Sequence, residues 1–118
     1  MEYDLEERTA KFGEDVIVFL RTISKDEITR PLISQLIRSA TSIGANYCEA
    51  NEAISKKDFR NKVCIARKEA HESKHWFRML AKAVPSSAKK ARILWKEAHE
   101  LTLILATIVK KSNPKVET

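Results

Sequence analysis

In four successive stretches of this chain, apolar residues recur at alternating spacings of three and four. That period, more than any other feature, limits what the chain can fold into. Leu5, Phe12, Val16, Phe19 and Ile23 make the first stripe. Leu36, Ala40, Ile43, Tyr47 and Ala50 make the second, with Ile33, Ile37 and Gly44 beside them. Phe59, Val63, Ala66, Ala70, Ser73, Phe77 and Leu80 make the third, and Ala91, Leu94, Ala98, Leu101, Leu105 and Ile108 the fourth. A repeat near 3.6 residues puts each set on one helical face, and no alternating strand pattern competes with it. The breaks fall where helices begin and end. Thr29-Arg30-Pro31 reads as an N-cap followed by an early-helix proline, and Ser55-Lys56-Lys57-Asp58 as a start close to a capping box. Val84-Pro85-Ser86-Ser87 stops one helix and can cap the next, and Asn113-Pro114 ends the last.

Four amphipathic helices with short connections predict an all-α, up-down-up-down antiparallel four-helix bundle. The expected helices cover about 4–24, 30–53, 56–83 and 87–111 in a single domain spanning 1–118, with a short polar tail. A chain of 118 residues is long enough to bury a core without staples. Two glycines and three prolines are too few for a turn-rich β-sandwich or a glycine-looped nucleotide site. Two cysteines, Cys48 and Cys64, make neither a disulfide framework nor a zinc knuckle, which points to a reducing cytoplasm. Early acidic residues argue against a secretory leader, and no apolar run approaches the roughly 18 residues of a membrane span. Cys64 is expected on the exposed side and Cys48 near the core, neither placed with a base that would activate it.

Two stretches are more apolar than one core requires. Val16 to Leu20 is apolar around its whole helix, and Leu101 to Val109 puts Leu103 and Ile104 off the core stripe. A helix apolar on all sides needs cover on all sides, so Ile17, Val18, Leu103 and Ile104 are the candidate interface of a homo-oligomer. The alternative is a wide core stripe.

The net charge of +6 is unevenly spread. Residues 1–28 are net acidic, residues 29–54 balanced, and residues 55–118 strongly basic. This division suits a polyanion-facing surface or complementary packing between copies, and equally a solvated charged face. At 100° per residue, Arg60, Arg67, His71, Lys74, His75, Arg78 and Lys82 fall within about 100° of one another, away from the core stripe. They run along roughly 33 Å of helix, a length over which phosphates line a nucleic-acid groove. Lys89, Arg92, Lys96 and Lys110 add to the outer face of the last helix. With no exposed aromatic residue interleaved, recognition of shape and backbone is expected, with little reading of bases. Trp76 and Trp95 are taken as interface or core-edge aromatics.

Other constellations read as structural. His71-Glu72-Ser73-Lys74-His75 has the H-E-x-x-H spacing of a zinc protease, with Glu97 or His99 as a conceivable third ligand. Neighbouring cations disfavour a dication there, so no metal site and no catalytic residue are assigned. Glu69 and Glu72 flank the core stripe and are expected to pair with Arg38 or Asn46, fixing helix register rather than doing acid–base work. Arg38, Ser42, Asn46 and Glu49 form a polar row beside small Ser39, Gly44 and Ala45, which suits a closely approaching neighbour.

The order Arg38-Ser39-Ala40-Thr41-Ser42-Ile43-Gly44-Ala45-Asn46, Glu49, Ser55-Lys56-Lys57-Asp58-Phe59, Ala66-Arg67-Lys68-Glu69-Ala70, Glu72 and Trp76 is distinctive. It resembles the four-helix-bundle proteins encoded within intervening sequences of bacterial 23S ribosomal RNA genes, once labelled S23 ribosomal proteins. A related group is the accessory protein of diversity-generating retroelements. The likeness runs from about residue 5 to 111. The chain departs from the common pattern at Tyr47-Cys48 and Ala50-Asn51, which leaves its subfamily open. The resemblance implies a bundle assembling as a ring, commonly a pentamer, with a basic surface suited to structured RNA, and in the retroelement relatives a reverse transcriptase as partner. Taken together, the expectation is a non-enzymatic, cytoplasmic homo-oligomer without cofactor, membrane or small-molecule substrate. Its RNA face comprises Arg60, Arg67, His71, Lys74, Arg78, Lys82, Arg92 and Lys96. A protein-interaction scaffold without nucleic acid is the alternative.

Overall fold

The structure, a computed structural model, describes residues 4–112. Four helices follow one another: α1 (Leu5–Arg21), α2 (Thr29–Asn51), α3 (Lys56–Ala83) and α4 (Ala88–Lys111), with a 3-10 turn (Pro85–Ser87) leading into the last. Among the described residues there is no strand. Each helix runs antiparallel to the one before it. α3 lies between α2 and α4, and α1 closes the bundle against α2 and, along a shorter seam, against α4. The expected stripes form the core. Phe12, Val16, Leu36, Ile43, Val63, Phe77, Leu80, Leu101 and Leu105 are all at most 2% exposed. Phe77 of α3 meets Phe12 and Phe19 of α1 across the bundle, each pair of ring centres 6.2 Å apart. These edge-on and tilted contacts tie the diagonal helices together.

The helix starts follow local chemistry. Asp4 caps α1 by accepting from the Glu7 N–H at 3.0 Å, and Ser55 caps α3 by accepting from the Asp58 N–H at 3.0 Å. Thr29 is not the cap of α2. Asp26 accepts from the N–H groups of Ile28 and Thr29, while Thr29 Oγ1 accepts from the Asp26 N–H, a reciprocal box placed three residues earlier. Those bonds hold the Asp26 carboxyl below its ordinary range. Ser87 precedes α4 without bonding to it; its hydroxyl donates to the Val84 carbonyl at 2.7 Å instead, finishing the turn that Pro85 begins. α1 ends at Arg21, earlier than the apolar pattern suggested, because the Thr22 hydroxyl turns back to Phe19 O at 2.6 Å. Asn113-Pro114 and the expected polar tail lie outside the described residues.

Between α2 and α3 two serines replace apolar residues in the core. Ser39 and Ser73 are fully buried, their hydroxyl oxygens 2.8 Å apart, and Ser73 also donates to Glu69 O. Small side chains at both positions let the backbones approach, and the mutual bond satisfies the polarity they bring. Gly44 does the same for α1. A Cβ there would stand 3.2 Å from Thr9 Oγ1, close enough that the buried Thr9 side chain would have to give way by a few tenths of an ångström.

Candidate nucleic-acid interface

The charges of α3 and α4 are sorted by the seams of the bundle. On the α2 side, Arg38 reaches across to Glu69 at 3.2 Å and to Glu72, and the indole N–H of Trp76 donates to the same Glu72 at 2.8 Å. Lys62 pairs with Glu49 of α2 at 2.9 Å, a bond that raises the lysine above its ordinary range. On the α1 side, Arg8 forks onto Glu97 with two bonds of 2.7 and 2.8 Å and reaches Glu100 at 2.8 Å. The bond to Glu97 is the main reason the guanidinium is held still more firmly charged than usual. Four of the acidic side chains of α3 and α4 are thus tied to arginines of the other two helices, away from the seam that α3 and α4 share.

That seam is flanked by the cations. His71, Arg78, Lys82, Lys89, Arg92 and Lys96 are exposed, and Arg60, Arg67 and Lys74 half-buried. The structure therefore joins the α3 stripe to the α4 set on one face. Arg78, Arg92 and Lys96 come together as the walls of an open groove of about 490 Å³ whose other lining is Phe77, Ala81, Ala88, Ala91 and Trp95. Lys74 turns towards α4. Its ammonium, which can only donate, bonds His99 Nδ1 at 3.0 Å and stands 5.3 Å from the centre of the Trp95 ring. Trp95 in turn stacks on His99, with centroids 5.2 Å apart and planes 13° from parallel.

The sequence shows no exposed aromatic set interleaved with the cations, and the structure adds one half-buried indole at the groove's edge. Trp95 is half-buried at the core edge, as expected, yet its remaining surface lines the basic groove. The signal was the spacing Arg92, Trp95, Lys96, a row of three and four along α4. Arg8, a clamp between helices, also went unremarked, because one arginine among the acids of the first segment has no local signature.

The other candidates resolve as follows. His71, Glu72 and His75 do not converge. Glu72 faces α2, His75 packs edge-on against Trp76 at 4.8 Å, Glu97 is held by Arg8 and His99 by Trp95. Among the described residues no three histidine, cysteine, aspartate or glutamate side chains are grouped to hold a metal. Asn46 does not reach Glu69 or Glu72; its amide donates to Ser42 O of its own helix at 2.9 Å. The two cysteines are placed the other way round from expectation, Cys48 exposed and Cys64 half-buried. Position 48 falls towards the α1–α2 groove, where desolvation and then the charge of Glu6 push its thiol up and away from reactivity. Of the candidate interface residues, Ile17, Val18 and Leu103 are exposed by 40%, 64% and 55%. Ile104 is instead half-buried against the core, because at the C-terminal half of α4 the apolar stripe is wide enough to take it in. No described helix is long and apolar enough to cross a membrane.

Comparison with known proteins agrees with the architecture. The chain matches the model of the 23S rRNA-intervening sequence protein family over residues 2–107. It is similar to a crystal structure of a protein of unknown function from the S23 ribosomal protein family of Bacteroides thetaiotaomicron, at 30% identity and a TM-score of 0.80, over 91% of this chain and 99% of that one. No curated protein matches.

Proposed function

The chain belongs to the 23S rRNA-intervening sequence protein family, and from that premise we propose that it is a non-enzymatic bundle that binds structured RNA on its α3–α4 face. The observation that carries the reading is the sorting of charge. Cations of two helices share one surface, while four carboxylates of the same helices are neutralised at the opposite seams by Arg8 and Arg38. A face meant only for solubility would mix signs, as surfaces generally do. A face of one sign costs self-repulsion, and a polyanion relieves it. We read the chain as working in several copies through exposed Ile17, Val18 and Leu103, which would multiply the face and raise avidity.

The test is binding of a structured RNA at rising salt by the protein and by a variant with Arg67, Arg78, Lys82 and Arg92 changed to Glu. Tight binding at low salt should fall steeply as salt rises, by roughly 0.9 log units in affinity per log unit of salt for each phosphate engaged. The variant should lose binding with helicity and particle size unchanged. Unaltered binding would refute the assignment of the face.

A second reading, a scaffold for a protein partner such as a polymerase, is favoured by the α1–α2 groove. Its floor is small and apolar, with Ala10, Gly13, Ile17, Gly44 and Ala45, and Glu6, Thr9, Glu14, Thr41 and Cys48 complete its lining. A partner recovered after nuclease treatment and lost in Ile17→Glu would support it.

A further inference from the structure

Within the basic face, the groove around Trp95 differs from the rest of the stripe. Its floor is made by Ala81, Ala88 and Ala91, short side chains on facing helices that leave a trough with Phe77 at its base. Its rim is Arg78 on one side and Arg92 with Lys96 on the other, and no carboxylate lines it. The end wall is Trp95, held by the stack on His99 and by the Lys74 ammonium, so its ring needs no ordering when a ligand arrives. Fixed phosphate contacts need only exposed cations. An apolar trough ending in an immobilised indole serves a flat apolar group that travels with negative charge.

We propose that this groove is a subsite for one unpaired nucleotide of an RNA, its base laid in the alanine trough against Trp95 and its flanking phosphates on Arg78, Arg92 and Lys96. The proposal rests on the RNA-binding reading above and narrows it. The volume of about 490 Å³ lies within the range of pockets that take ligands of nucleotide size. Charge complementarity selects this occupant over an apolar peptide or a second copy's apolar surface, since either would bury three cations without a counter-charge. A paired duplex hides its base faces and would meet only the rim, whereas a bulge, loop or single strand offers a face to stack. The preferred RNA is therefore a helix interrupted by an unpaired base, with purines ahead of pyrimidines for their larger stacking surface.

The experiment compares three RNAs without loops: a perfect blunt duplex, the duplex with one bulged adenosine, and the same bulge made abasic, the last two of equal phosphate number. The protein should bind the bulged form about tenfold more tightly than either control, the scale of one base stacked on an aromatic ring. Trp95→Leu should remove that preference, and so should Ala88→Leu, which fills the trough and leaves Trp95 in place. Both variants should keep the helicity and particle size of the parent protein. In a Trp76→Phe background the emission of Trp95 should quench with the bulged RNA and not with the abasic one. Equal binding of all three RNAs, or a preference that survives both variants, overturns the subsite and leaves the basic face standing. No binding of any of them at low salt overturns both readings. Self-association that Ala88→Leu abolishes would show a second copy in the groove and overturn the subsite.

Discussion

Ser39 and Ser73 make a prediction that depends on where two protons point. Ser73 has a good acceptor in its own helix, Glu69 O at 2.9 Å, whereas Ser39 has only Leu36 O at 3.3 Å. The better arrangement is a relay in which Ser39 donates to Ser73 across the 2.8 Å gap and Ser73 donates to Glu69 O. Removing Ser73 strands the Ser39 hydroxyl, fully buried, on its long second-choice bond. Removing Ser39 leaves the Ser73 bond to Glu69 O intact. Alanine is nearly the shape of serine, so no cavity confuses the comparison. A stranded buried hydroxyl costs about 1–2 kcal/mol and a lost neutral bond about 0.5–1 kcal/mol, so Ser73→Ala should be the more damaging single change. In the double variant neither hydroxyl remains to be satisfied. Its loss should be no greater than that of Ser73→Ala, giving a coupling of about 1 kcal/mol between the sites. Urea unfolding followed by far-ultraviolet circular dichroism reads this directly. With a slope of about 2 kcal/mol per molar urea, the middle of the roughly 1–3 range for small proteins, Ser73→Ala moves the midpoint down by about 0.5–1 M without altering the slope. A double variant that loses the sum of the two singles would refute the relay. Greater damage from Ser39→Ala would reverse its direction.

Three further outcomes follow from the packing. Phe77→Ala, which empties the meeting point of Phe12 and Phe19, should cost about 3–5 kcal/mol in the same unfolding assay. Gly13→Ala should be neutral or stabilising by up to about 1 kcal/mol, since its Cβ would meet nothing nearer than 3.7 Å, whereas Gly44→Ala should destabilise by about 1–2 kcal/mol by pressing on Thr9. Asp26 has a folded-state pKa below its ordinary 3.8, so its stabilising contribution is complete above that value and is lost as pH falls through the folded one. Asp26→Asn keeps the capping oxygen without the charge, and should flatten that acid limb in a series of melting temperatures between pH 2 and 6. An unchanged acid limb would show that the Asp26 box does not govern it.

Much of the fold was legible because the core repeats with the helix. Each of the four stripes became a buried face, and the two capping serine and proline segments fell within a few residues of the observed ends. Thr29 misled because both members of a reciprocal box are capping residue types, and only the bonds reveal that Asp26 comes first. Cys48 and Ile104 misled because a position at the edge of a stripe is buried or bare according to how closely the neighbouring helix approaches, a distance that no single helix encodes. The α3 cations were readable as one stripe, since they share a helix and a helix fixes relative angles. Their union with Arg92 and Lys96 around Trp95 was not.

The sequence by itself thus determined four helices, the faces they bury and the sign of charge each carries, all of them properties of residues a few positions apart. The tertiary structure decided which seam each face lies beside. Arg8 and Glu97 are separated by 89 positions and Arg38 and Glu69 by 31, and their pairing is set by core packing that brings particular helices together at particular registers. Those pairings leave the α3–α4 seam to its cations and its one tryptophan-walled groove. A charge pattern is local and can be counted along a chain; a surface belongs to two helices at once, and exists only when both have found their places.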